Sequence, residues 1–145
     1  MTIMTATIAR ALLPAILVVA AAWLVRGATL PGDGFSAGVT AGAGLLLQYV
    51  VFGHVEVGRS VRLSPVGPQL ALGGLALMLA VAAAGPLVGE PILVQFPGEG
   101  AHVMRLGLLE LHTAVLFDAG IALLVFGMLA ATLEMLGEAA RGDAR

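Results

Sequence analysis

Four long apolar runs leave this chain little choice of fold. They extend from about Ile8 to Val25, Gly34 to Phe52, Val66 to Val88 and Thr113 to Leu136. Each is close to the roughly 20 residues a helix needs to cross the hydrocarbon of a bilayer. None alternates apolar and polar residues as a barrel strand does. In lipid the backbone must satisfy its hydrogen bonds within the segment, which a helix achieves alone. The sequence therefore predicts an all-α integral membrane protein with four transmembrane helices, built as a single domain over residues 1–145. Composition excludes the other classes. Hydrophobic residues make up 59% of the chain and charged residues 11%. A soluble domain of this size leaves about a third of its surface in water, which excludes an ordinary soluble enzyme, and intrinsic disorder is excluded with it. A net charge of −2 argues against a nucleic-acid partner. Without cysteine there is no disulfide framework, thiolate metal site or iron–sulfur ligation.

The basic residues set the orientation. All are arginine. Arg10, Arg59, Arg62, Arg141 and Arg145 fall on one side of the four spans, and Arg26 and Arg105 on the other. The positive-inside rule then predicts both termini in the cytoplasm. The first run has some features of a signal peptide: Arg10 near its start, an apolar stretch, and Ala20, Ala21 and Ala22 near its end. Because three more spans follow, it is expected to stay as an anchor. Trp23 and Tyr49 sit at depths suited to aromatic interface anchors. The longest loop, about Gly89 to His112, holds Glu90, Glu99 and Glu110 and is expected outside. Within it, Pro91 to Pro97 reads as a short extended piece bounded by prolines.

The polar residues inside the spans are the functional candidates. Asp118 is foremost, because an aspartate at mid-bilayer costs about 2.5–3.5 kcal/mol and so faces protein or water. It is either part of an ion or proton path or a carboxylate that bonds a neighbouring helix. Glu110 lies eight residues before it, on the same stripe if the helix extends that far; His112 does not align. Both are expected to be solvated. The second span carries two rows at four-residue spacing. Gly34, Gly38 and Gly42 form a small-residue face that lets another helix approach closely. Ser36, Thr40, Gly44 and Gln48 lie on the opposite face, suited to interhelical hydrogen bonds or to an ion or water path. A helix with two such faces is expected to be sandwiched between others. His54, His102 and His112 lack a metal-binding spacing, so no metal or other cofactor is predicted. Pro31-Gly32-Asp33-Gly34 reads as a tight turn before the second helix.

Two motifs carry a family resemblance. Arg26-Gly27, followed by Pro31-Gly32-Asp33-Gly34-Phe35 and a small-residue helix reaching Gln48-Tyr49, resembles the signature after the first helix of MnhB-type (MrpB) proteins. Leu116-Phe117-Asp118-Ala119-Gly120-Ile121 resembles their second signature, which opens the last helix. The resemblance covers most of the chain and makes residues 1–145 one MnhB-like domain. There are departures: Ala28 and Thr29 occupy the family's His-Asn positions, and Asp33 replaces the middle glycine of a triplet.

The resemblance implies a B-type subunit of the multi-subunit Mrp sodium/proton antiporter of bacterial plasma membranes. Its implied partners are other antiporter subunits, including large ones related to the proton-pumping parts of complex I, with membrane lipid around them. Sodium and protons would be exchanged by the complex, and the chain itself would have no catalytic chemistry. Asp118, Ser36, Thr40 and Gln48 are the candidates for an ion path or an inter-subunit contact. Arg26, Pro31, Gly32, Gly34, Phe35, Gly38, Gly42 and Gly120 are the expected structural residues. Other readings are the ion-translocating module of a membrane-bound hydrogenase-like oxidoreductase, a purely structural assembly subunit, and, least favoured, an independent channel or carrier.

Overall fold

The computed structural model describes residues 2–26, 33–53, 56–57, 63–94, 105–106, 109–110 and 113–142. The expected runs are helices α1 (Ile3–Arg26), α2 (Asp33–Phe52), α3 (Leu63–Leu87) and α4 (Thr113–Gly142). All four are long and apolar enough to cross a membrane. They overrun the apolar stretches, most of all at the start of α1 and the end of α4, because helical hydrogen bonding has no reason to stop where the hydrocarbon does. Asp33 belongs to the first turn of α2 rather than to a turn preceding it. A carboxylate there complements the helix dipole. Pro14 lies inside α1, and Pro68 and Pro86 inside α3. Membrane helices tolerate proline where neighbouring groups re-satisfy the freed carbonyl.

Packing follows the order α1–α2–α4–α3. The glycine contacts give the directions. Gly34 meets Asp118, Gly38 meets Ala122 and Gly42 meets Leu129, so α2 and α4 run parallel. Gly44 meets Ile16 and Leu13 while Gln48 bonds Ala9, so α1 runs antiparallel to α2. Gly67 meets Ala131 and Gly74 meets Gly120, so α3 runs antiparallel to α4. The second helix is the most enclosed, with 39% of its apolar window buried against 11% for α1 and for α3. It is sandwiched, as its two small-residue rows predict.

The core is small. Leu45, Val57 and Ala130 form it, with Tyr49, Phe52, Phe126 and Leu133 against them. No large side chain among the described residues is fully buried. Close backbone approach at glycine holds the bundle, as expected where lipid tails remove the hydrophobic drive for helices to associate. Large apolar side chains such as Leu12 and Val18 on α1 and Leu72 and Leu79 on α3 point outward.

The segment after α3 departs from the extended form expected of it. Ile92 and Leu93 form a turn, with Leu93 at φ 65°. The Glu90 amide donates to the Gly85 carbonyl at 3.0 Å and the Leu93 amide to the Ala82 carbonyl at 3.4 Å. The chain thus folds back on the end of α3 and satisfies carbonyls that the helix leaves open. Extended pairing occurs later in the loop. There β1 (Arg105–Leu106) pairs antiparallel with β2 (Leu109–Glu110) in a two-residue ladder. Gln95, Phe96 and Pro97, the rest of the expected extended piece, lie outside the described residues.

Candidate functional site

Asp118 sits about one and a half turns into α4 and is 8% exposed. Its burial comes from α2. A Cβ built on Gly34 would strike the Asp118 carbonyl oxygen, so only glycine allows the two backbones this close. The same holds along the row: a Cβ on Gly38 would lie 2.8 Å from the Ala122 carbonyl oxygen, and one on Gly42 would strike Leu129. The Gly34, Gly38 and Gly42 row is therefore the face that seats Asp118 between helices.

The parallel pairing brings a second carboxylate to the same level. Asp33, at the start of α2, is 9% exposed. Its Oδ2 is buried and has no hydrogen-bond partner among the described residues. Gly34, the next residue, touches the Asp118 backbone, so the two aspartates lie at one level of the α2–α4 contact. In the sequence Asp33 reads only as part of a turn. Its departure from the family's glycine triplet is the signal that marks it.

The opposite face of α2 meets α1. Gln48 is buried and its Nε2 donates to the Ala9 carbonyl at 2.9 Å. A Cβ on Gly44 would lie 2.9 Å from Ile16 Cγ2. Ser36 and Thr40 are half-buried on this helix. Gln48, of this row, thus makes an interhelical hydrogen bond that gives its amide nitrogen a partner.

The other end of the α2–α4 contact is polar too. The Tyr49 hydroxyl donates to Glu134 Oε2 at 2.6 Å. Glu134 lies sixteen residues beyond Asp118 on α4, about 24 Å of helical rise. Polar side chains thus lie at both ends of one interface whose middle is glycine and apolar side chains. Nothing in the spacing of Tyr49 and Glu134 announces this pair, since it depends on the parallel register. Nearby, the Arg10 guanidinium lies 5.1 Å from the Phe52 ring centroid. It borders a cavity of about 370 Å³ lined by Gln48, Phe52, Glu56 and apolar residues of α1, α2 and α4.

The remaining expected residues are spread out. Gly120 faces α3, where a Cβ would lie 2.7 Å from Met78 Cγ. Arg26 ends α1, its guanidinium 5.8 Å from the Trp23 ring centroid. Phe35 is exposed at 58% and points out of the bundle. Glu110 lies in β2, before α4 begins, so it shares no helical stripe with Asp118. Pro31, Gly32, Ala28, Thr29 and the three histidines lie outside the described residues. Among the described residues no group of three acidic or histidine side chains is placed to hold a metal ion.

Comparison with known proteins agrees with this architecture. The family model described as "Domain related to MnhB subunit of Na+/H+ antiporter" matches residues 4–131. The probable A/B subunit of a K(+)/H(+) antiporter from Rhizobium meliloti (strain 1021) is 33% identical over 122 residues, which are 84% of this chain and 12% of that protein. The B subunit of the Na(+)/H(+) antiporter from Alkalihalophilus pseudofirmus is 34% identical over 98 residues, 68% of this chain and 66% of that one. A chain in the structure of the Mrp complex from Dietzia sp. DQ12-45-1b superposes with a TM-score of 0.74 at 29% identity, covering 93% of this chain and 14% of that chain. The chain thus spans an eighth to two thirds of the length of the proteins it matches. With the family model covering most of its length, four membrane-spanning helices in place and the Asp118 motif buried against the glycine row, this chain belongs to the family of domains related to the MnhB subunit of Na+/H+ antiporters.

Proposed function

We propose that the chain acts as a B-type subunit of a multi-subunit monovalent cation/proton antiporter in a bacterial plasma membrane. Sodium leaves the cell in exchange for protons entering down their gradient. Its partners are other Mrp-type subunits, including large complex I-like ones, with lipid filling the remaining surface. The chain has no catalytic chemistry of its own, and both termini lie in the cytoplasm. Family membership supports the antiporter reading, and the outward-facing apolar side chains of α1 and α3 suit a subunit that packs against others.

The observation that carries a role in the ion path is the burial of Asp118 between α2 and α4. A carboxylate taken out of water is retained against a cost of several kcal/mol, and in membrane proteins such groups mark ion and proton routes. Asp118→Asn keeps the size and loses the charge. It is expected to lower antiport by about tenfold or more, the effect of losing one interaction of about 1.4 kcal/mol. The measurement is sodium-dependent proton movement in everted membrane vesicles, with assembly followed in parallel by a carboxy-terminal tag. Full antiport in an assembled Asp118→Asn complex overturns the role. Mass spectrometry of the tagged particle tests the partners. Large hydrophobic subunits without metal-cluster proteins support an antiporter, whereas iron–sulfur subunits in the particle point to the redox-driven module.

A further inference from the structure

Two aspartates buried at one level of a membrane bundle pose an electrostatic problem. Asp33 and Asp118 are 9% and 8% exposed. Gly34, the residue after Asp33, lets α2 approach until the backbones touch at Asp118. Asp33 Oδ2 is turned inward, with no hydrogen-bond partner among the described residues. Two ionised carboxylates in such a place repel each other, and each has given up its hydration. The amides at the start of α2 ease the charge on Asp33 only in part, because the dipole of a helix end acts as about half a unit charge. One unit of positive charge between the carboxylates removes the repulsion and gives the orphaned oxygen a partner. A proton does this by making one group a donor to the other, as in acid pairs that share a single proton. A small monovalent cation does it by direct coordination, since hard cations take oxygen ligands.

We propose that Asp33 and Asp118 together form a binding site for one positive charge, a proton or a sodium ion, where α2 and α4 begin. The site deepens the role given to Asp118 in antiport and rests on that reading for its place in the ion path. It adds Asp33 as the second ligand, at a position where the resembled motif has glycine.

The test is carboxyl labelling with dicyclohexylcarbodiimide, an apolar reagent that adds to protonated carboxylic acids. Membranes holding the full complex are treated at neutral pH in sodium-free buffer, and each aspartate is followed by peptide mass spectrometry. Asp33 or Asp118 is expected to label. Protection by sodium chloride but not by choline chloride identifies the occupant as sodium; labelling indifferent to both salts identifies it as a proton. In Asp33→Asn, labelling of Asp118 is expected to fall about tenfold, the effect of one unit in proton affinity. Asp33→Gly restores the motif's own residue and is the second variant should the first fail to assemble; the same fall is expected. Asp33→Glu, which keeps the carboxylate, is expected to restore labelling. No labelling of either aspartate in the sodium-free wild-type complex overturns the proposal. So does Asp118 labelling that is unchanged in both Asp33→Asn and Asp33→Gly. Labelling needs no transport, so the pair can fail while Asp118→Asn still lowers antiport, and the reverse.

Discussion

Gly38 lies in the middle of the α2–α4 contact, and adding a methyl group there tests the packing directly. In Gly38→Ala the new Cβ would lie 2.8 Å from the Ala122 carbonyl oxygen and 2.9 Å from Val125 Cβ. Carbon atoms in ordinary contact sit about 3.5–4.0 Å apart. The helices must therefore separate by up to about 1 Å, or the Val125 side chain must shift. Overpacking of this kind costs about 1–3 kcal/mol. Replacing a helical glycine by alanine also returns up to about 1 kcal/mol of helix propensity, which blurs a single measurement. Gly73 supplies the control. It lies in α3, and a Cβ there meets nothing within 4 Å. Gly73→Ala gains the propensity without the clash, so the difference between the two variants isolates the contact. At about 2–4 °C per kcal/mol, Gly38→Ala is expected to melt several degrees below Gly73→Ala. The assay is gel filtration of the tagged complex in mild detergent after heating. Gly38→Leu, whose side chain has no space at all, is expected to abolish assembly. Equal melting of the two alanine variants, or a Gly38→Leu complex of normal size and yield, refutes the close-packed glycine row.

Three further outcomes are expected. Gln48→Leu removes the buried bond to the Ala9 carbonyl, and the complex should lose about 0.6 kcal/mol, rising to about 1.7 if the bond is among the strongest of its kind; thermal melting reads this, and an unchanged melt would mean that the amide does no holding. Tyr49→Phe deletes the 2.6 Å hydroxyl bond to Glu134, which should destabilise by about 1–3 kcal/mol because a carboxylate loses a donor; Tyr49→Phe with Glu134→Gln, measured as a double-mutant cycle, should recover part of that loss. Gly89 has φ +82° and open space around its α-carbon, so Gly89→Ala should cost about 1–2 kcal/mol from backbone conformation alone; limited proteolysis of the loop checks it, and an unaltered cutting rate would argue against the left-handed turn.

Much of this protein is legible in its amino-acid order alone, and for one physical reason. Lipid forces each segment to satisfy its own backbone, so long apolar runs report helices without knowledge of their neighbours. The four spans and the sandwiching of α2 follow from local pattern. Asp118 stands out as a candidate by the same local reasoning, because a charge in a span is conspicuous wherever the helix is placed. The rows of Gly34, Gly38 and Gly42 and of Gly44 and Gln48 are likewise visible as opposite faces of one helix.

Which helix each face meets is not visible there. Tertiary structure alone assigns the glycine row to α4 and the Gln48 row to α1. Four alternating spans already make α2 and α4 run the same way; only the tertiary structure makes them neighbours and sets their register, on which everything at the two ends of that contact depends. Asp33 shares a level with Asp118, and Tyr49 meets Glu134, because neighbouring parallel helices place residues far apart in sequence at equal depth. The loop after α3 shows the same limit. Its prolines suggest an extended piece, but the open carbonyls of Ala82 and Gly85 draw it into a turn. Segmental hydrophobicity determines what crosses a membrane. The pairing of small residues between segments decides which polar groups meet inside it.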